Sequence, residues 1–188
     1  YNLPFKLCFS SDRKTSVKVL YDGESIDKDA RNIKQETLSY SLADGRKLKG
    51  ILYYPKKFVA TQIYPVIVHI YQIQHNLANE YLMPDYDVVG FNIRTLIEKN
   101  YFVFLPDTVI DERGPGIAAM ESIDKALDKL FMNRNINCSK VGLIGHSFGG
   151  YLTNFIATHS KRFATYISGS GVSDIISSYF SFNYNFTG

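Results

Sequence analysis

The residues with the most pointed chemistry are Gly145-His146-Ser147-Phe148-Gly149-Gly150, a G-x-S-x-G pattern followed by a second glycine. Val141 to Ile144 ahead of it is an unbroken apolar run, and Tyr151 to Ile156 behind it opens a helical pattern. A serine at such a strand-to-helix junction sits on a tight, strained turn. Small residues two before and two after it let strand and helix approach one another. Its hydroxyl then projects above the carboxyl end of a sheet, at a helix N-terminus, where the dipole favours developing negative charge. The chemistry implied is nucleophilic attack by Ser147, with the backbone N–H of Phe148 as one donor to the resulting oxyanion.

A serine is a weak nucleophile unless a histidine, itself held by a carboxylate, takes its proton. The chain has four histidines: His69, His75, His146 and His159. His146 reads as a packing group of the turn, and His69, between Val68 and Ile70 in an apolar run, as a buried and satisfied side chain. His159 lies some three turns along the helix that starts at the serine, so it points away from the hydroxyl.

The elements that must position the serine are legible from periodicity. Phe5 to Phe9 and Val17 to Tyr21 alternate apolar and polar residues around the polar stretch Ser10 to Ser16, a hairpin signal. The charged stretch Asp22 to Gln35 reads as a linker. A second hairpin, Leu38 to Leu42 and Leu48 to Tyr54, turns at Ala43-Asp44-Gly45-Arg46. After Pro65 the pattern changes to continuous apolar runs, the mark of strands buried on both faces, at Val66 to Tyr71, Phe102 to Leu105, Val141 to Ile144 and Ala164 to Ser168. Helical patterns lie between them: Asp87 to Lys99, Ile117 to Phe131 with Met120, Ile123, Leu127, Leu130 and Phe131 at helical spacing, and Gly149 to about His159. Strands alternating with helices imply βαβ crossovers and a parallel sheet. The expected class is α/β, with the α/β-hydrolase fold. In that fold the triad follows the order serine, acid, histidine along the chain. The carboxylate after Ser147 is Asp174, with no histidine beyond it. These residues do not complete the triad, and the expectation is a chain cut after the nucleophile half of the fold.

An ordered series of segments resembles the prolyl oligopeptidase family of serine peptidases, which includes dipeptidyl and acylaminoacyl peptidases. Asp44-Gly45-Arg46-Lys47-Leu48-Lys49-Gly50-Ile51-Leu52-Tyr53-Tyr54-Pro55 is similar to the entry hairpin of that hydrolase domain. Tyr64 to Tyr71 is similar to the strand whose last tyrosine gives its hydroxyl to the oxyanion hole, and Phe163 to Asp174 to the strand and loop after the elbow. The resemblance implies Ser147 as nucleophile, and Tyr71 and the Phe148 amide as oxyanion donors. It implies peptide substrates, residues 1–33 as the end of a preceding β-propeller-like domain with its linker, and residues 34–188 as the N-terminal part of the catalytic domain. Gln72-Ile73-Gln74-His75 departs from the Gly-rich turn common after the tyrosine, so the rim of the site is expected to differ. Asp111 to Gly116 only approximates the usual Arg-Gly stretch, and Arg113 is read as a solvated loop residue.

The bulk properties narrow the partners. The length suits one good core. The chain is 45% hydrophobic and 21% charged, with a net charge of only +3 and its basic residues scattered, which leaves no electrostatic footprint for nucleic acid or an acidic membrane. No apolar run approaches the ~20 residues of a membrane span. No metal or organic cofactor is implied. Cys8 and Cys138 match no metal spacing and read as buried or half-buried thiols. Asn137-Cys138-Ser139 and Asn185-Phe186-Thr187 fit the glycosylation sequon. A sheet edge left open where the chain stops, after Tyr184-Asn185-Phe186-Thr187-Gly188, would invite a second copy. The rival readings are an esterase or lipase on the same fold, which usually takes its second oxyanion donor from a Gly-rich backbone loop, and a non-catalytic module that keeps the elbow as architecture.

Overall fold

The computed structural model of the chain describes residues 3–10, 17–84, 90–174, 176 and 179–181. In chain order its strands are β1 (Lys6–Ser10), β2 (Val17–Asp22), β3 (Gln35–Ser41), β4 (Lys47–Tyr53), β5 (Tyr64–His69), β6 (Phe102–Pro106), β7 (Ile136–His146) and β8 (Thr165–Gly169). The helices are α1 (Ile93–Glu98), α2 (Pro115–Leu130) and α3 (Phe148–His159). Strands β1 and β2 pair alone, and the other six form one sheet in the order β3-β4-β6-β5-β7-β8. The β3–β4 and β4–β6 pairs are antiparallel, and β6–β5, β5–β7 and β7–β8 are parallel. The expected α/β architecture is therefore present, with helices linking the parallel strands.

Alternation along the strands divides the core between two faces. In β6, Phe102 and Phe104 belong to the larger cluster, with α2 and α3, while Val103 and Leu105 join a smaller one with Ile51, Tyr53 and Ile97. Both faces are filled there, which is why the run Phe102 to Leu105 carries no polar residue. The stripe of α2 that meets the sheet is narrower in volume than its large residues suggest. Ala118, Ala119 and Ala126 are buried beside Ile123, Leu127 and Leu130, whereas Met120 and Phe131 are half-buried. Small residues bring α2 close: a β-carbon on Gly116 would fall 2.5 Å from the Phe155 ring on α3. At the base of the sheet Tyr54, Phe58, Tyr64 and Phe102 form edge-on and tilted pairs with centroids 5.0 to 5.9 Å apart. Each such pair contributes about 0.5–1.5 kcal/mol beyond its buried area.

Several boundaries differ from expectation. The helix expected over Asp87 to Lys99 is helical only at Ile93–Glu98; residues 85–89 lie outside the described residues. Gly90, at φ 83°, and an extended Asn92, whose side chain accepts from the Thr95 N–H, set the start of α1. Strand β5 ends at His69, so Tyr71 stands just past it. Strand β7 starts five residues before Val141, but Ile136 pairs with Tyr64 and Val141 with Val66, so residues 137–140 overhang. Cys138 lies on that overhang and Cys8 on the exposed hairpin β1–β2, so both free thiols are exposed, not buried. The stretch of residues 11–16, expected as the first hairpin turn, and the second sequon at Asn185 fall outside the described residues.

The Asp22 to Gln35 stretch carries two short 3-10 turns and is held to the six-stranded body by an ion pair. The guanidinium of Arg94, 5% exposed, grips both carboxylate oxygens of Asp27, and its Nη1 also donates to Leu82 O at 3.2 Å. Tyr81 adds its hydroxyl to Asp27 Oδ2 at 2.8 Å. Hydrogen bonding to Arg94 holds the Asp27 carboxyl below its usual range. Removing one partner strands the other charge away from water. We expect Arg94→Met to destabilise the fold by about 3 kcal/mol, read as a lower urea midpoint at unchanged m-value.

Candidate active site

The G-x-S-x-G segment lies where the motif's geometry requires. Strand β7 ends at His146, α3 begins at Phe148, and Ser147 between them has φ 56° and ψ −117°. A non-glycine residue there is strained by about 1–3 kcal/mol, which the surroundings must hold in place. Those surroundings are close. A β-carbon on Gly145 would lie 2.2 Å from Gly149 O, and one on Gly149 would lie 2.2 Å from Ile70 O. A β-carbon on Gly150 would meet Gly169 O and Gly171 Cα at 2.7 Å, so the second glycine seats α3 against the end of β8. Ser147 N–H donates to Gly169 O at 2.8 Å, and Tyr151 N–H to Ser147 O at 3.1 Å. The Ser147 side chain is exposed, and among the described residues its hydroxyl makes no hydrogen bond.

Tyr71 and Phe148 meet at this junction. The two rings stand edge-on, 87° apart with centroids at 6.2 Å, and Tyr71 is 41% exposed. As the first residue of α3, Phe148 has an N–H with no intrahelical acceptor. Ser147 and Tyr71 line one cleft of about 670 Å³, together with His69, His146, Ile73, Leu82, Met83 and Phe91. The lining is mostly apolar, and Glu80 and Arg94 also border it, the latter already paired with Asp27.

Three of the four histidines are engaged elsewhere or turned away, whereas His146, the residue before the serine, lines the cleft beside it. His159 stacks on Phe155 at 4.1 Å, at the far end of α3. His75 Nδ1 is 2.6 Å from Asp107 Oδ2. His69 stacks on Phe91 at 4.3 Å. The Gln74 side-chain amide fixes its protonation. Its Nε2 donates to His69 O at 2.9 Å and to Pro106 O at 3.1 Å, so Oε1 is the atom 2.8 Å from His69 Nδ1, which must carry the proton. Burial pushes the His69 pKa below its usual value. Asp174 Oδ1 accepts from Ile176 N–H at 3.0 Å, within its own loop. Arg113 is not simply solvated: it pairs with Asp111 at 2.7 Å and Glu121 at 2.6 Å. Sequence reasoning missed Asp107 and Gln74, which carry the hydrogen bonds beneath Tyr71. The available signal was a carboxylate directly after the apolar run that ends at Pro106.

A mostly parallel sheet with the elbow serine between β7 and α3 defines the α/β-hydrolase fold. Residues 113–187 match the prolyl oligopeptidase family, which bears out the resemblance read from the residues. The Bacillus subtilis (strain 168) protein named "Uncharacterized peptidase YuxL" is 24% identical over 157 residues, covering 74% of this chain and 23% of the relative. Among solved structures, the Pyrococcus horikoshii acylaminoacyl peptidase is similar at 19% identity and TM-score 0.67, covering 87% of this chain and 27% of that one. Porphyromonas gingivalis dipeptidyl peptidase 4 is similar at 18% identity and TM-score 0.64, covering 84% and 24%. The chain thus spans about a quarter of the length of these proteins. Among the described residues no helix is long and apolar enough to cross a membrane, and none forms a His, Cys, Asp and Glu group able to hold a metal.

Two outcomes follow from this geometry. Gly149→Ala drives a methyl into backbone, and we expect a loss of about 3 kcal/mol. Gly142→Ala meets side-chain ends and no backbone, Ile67 Cδ1 at 2.9 Å and Thr165 Cγ2 at 3.2 Å, and should cost far less; thermal melts of the two variants compare them. For His69 the folded pKa is depressed, so below about pH 6.5 the unfolded chain takes up a proton that the folded chain refuses. Its contribution is intact above that pH and is lost as pH falls toward the depressed value. His69→Asn should therefore flatten the decline in stability on the acid side of pH 6.5, read from urea melts at stepped pH.

Proposed function

We propose that this chain is part of a serine peptidase of the prolyl oligopeptidase type. In this reading Ser147 is the nucleophile, and the Tyr71 hydroxyl and Phe148 N–H form the oxyanion hole. The observation that carries it is the positive-φ serine between β7 and α3, opening on the same cleft as Tyr71. Ser147 Oγ adds to the carbonyl carbon of a peptide bond, and the carbonyl oxygen becomes an oxyanion held by the two donors. A histidine takes the hydroxyl proton and delivers it to the departing amine. Water then releases the acyl group from the serine. The apolar lining of the cleft suits a peptide with an apolar residue beside the scissile bond.

The histidine and its acid are assigned to residues outside 1–188. What supports this is the engagement of His69, His75 and His159 with Gln74, Asp107 and Phe155. In the same reading residues 1–33 belong to a preceding domain, and the outer edge of β8 is a place where a second copy could pair.

The test uses a fluorophosphonate probe, which reacts with an activated serine and barely with a resting one. The expected result is no labelling of the 188-residue chain, and labelling of a longer natural chain that Ser147→Ala abolishes. In the longer chain Ser147→Ala should also lower kcat for peptide hydrolysis by about 10⁴-fold or more. Labelling of the short chain would mean a working base lies within it. Silence of both would favour a non-catalytic module.

A further inference from the structure

Tyr71 poses a mechanical problem. It stands beyond the end of β5, on the glycine-free segment Gln72-Ile73-Gln74-His75, and a hydroxyl that serves an oxyanion must be held still. The answer lies beneath it, at the end of β6. Asp107 is 1% exposed, and its carboxylate accepts from four groups. Oδ1 takes the Gln74 N–H at 2.7 Å and the His75 N–H at 2.9 Å. Oδ2 lies 2.6 Å from His75 Nδ1 and takes the Lys49 N–H at 3.3 Å. The next residue continues the clamp: Thr108 N–H donates to Gln72 O at 2.9 Å, and its hydroxyl donates to Tyr71 O. Gln74, 3% exposed, adds bonds to His69 O and Pro106 O.

The carboxylate is fixed in turn. Tyr40 OH donates to Asp107 O at 2.6 Å, and Asp107 N–H to Lys49 O at 2.8 Å, so the residue is locked to β3 and β4. Burial keeps the Tyr40 hydroxyl protonated, hence a donor, well beyond the usual pH range.

We propose that Asp107 is a positioning residue for Tyr71, and that with Thr108 it holds the glycine-free 72–75 segment rigid by side-chain hydrogen bonds. It touches no substrate and acts through the 72–75 segment. The proposal rests on the reading of Tyr71 as an oxyanion donor.

The catalytic arm is a double-mutant cycle in the longer natural chain. Tyr71→Phe should lower kcat by about 10²-fold, and Asp107→Asn by about 10-fold with KM within about twofold, because the donor acts on the transition state. In the Tyr71→Phe background Asp107→Asn should change kcat by less than about twofold. Equal losses in both backgrounds, or no loss in either, would overturn the proposal. The second arm needs no catalysis. In the 188-residue chain Asp107→Asn should speed amide exchange at Gln74 and His75 by about tenfold, while the β5 amides keep their protection. Unchanged exchange at Gln74 and His75 overturns the clamp even if the peptidase reading stands. Accelerated exchange with a fully active Ser147→Ala variant keeps the clamp and sinks the peptidase reading. His75→Ala, which removes only the Oδ2 contact from the segment, should give a smaller change in the same direction and serves if Asp107→Asn does not fold.

Discussion

The backbone of α3 begins almost in contact with the ends of three strands, and the rest of the site follows from that contact. Gly145 and Gly149 face each other where neither could carry a methyl, Gly149 presses on Ile70, and Gly150 presses on Gly169 and Gly171. Only this approach lets one residue turn the chain from β7 into α3, which forces Ser147 to φ 56°. The hydrogen bond from Ser147 N–H to Gly169 O anchors the turn from the β8 side. Strain of about 1–3 kcal/mol is thus held by packing on all sides, and the serine is presented rigidly instead of lying on a mobile loop.

That rigidity needs the sheet behind it. Strands β5 and β7 lie side by side in parallel, with Val66, Val68, Val141 and Leu143 all fully covered by α2 and α3. The other face is covered over β4 and β6 by α1 and the 3-10 turn at His75–Asn79. Over β5, β7 and β8 it is thinner: Ile67 and Ile144 are half-buried and Ile167 is 55% exposed. The face from which the serine is held is therefore the more completely covered one.

Two polar anchors join segments distant in sequence. Asp107 ties the end of β6 to the loop after β5, and the Asp27–Arg94 pair ties the N-terminal stretch to α1. Each involves a buried charge that survives because several donors satisfy it. Both border the cleft, Asp107 through Gln74 and Arg94 directly, so buried polar pairs and apolar side chains share its lining.

The residues alone carried most of the fold. Apolar runs at Val66, Phe102 and Val141 named the parallel strands because burial on both faces leaves no room for polar residues. Asp44-Gly45 marked the turn, since only glycine takes φ 87° at little cost. The elbow was legible because its glycines answer a local steric demand within six residues. Local rules failed where partners are far apart in the chain. The start of α1 was misplaced because Gly90 and the Asn92 cap override the apolar spacing that runs on ahead of Ile93. The exposure of Cys8 and Cys138 depends on what packs against β1 and the overhang of β7, which no window of sequence contains. Asp107 looked like one more carboxylate after a strand, and its role arises only when β6 is laid between β4 and β5. Sequence by itself determined which stretches bury themselves and where the chain must turn sharply, because those are short-range steric and hydrophobic demands. Tertiary structure alone decided which polar groups meet in the interior, because a buried hydrogen bond is specified by two distant residues at once.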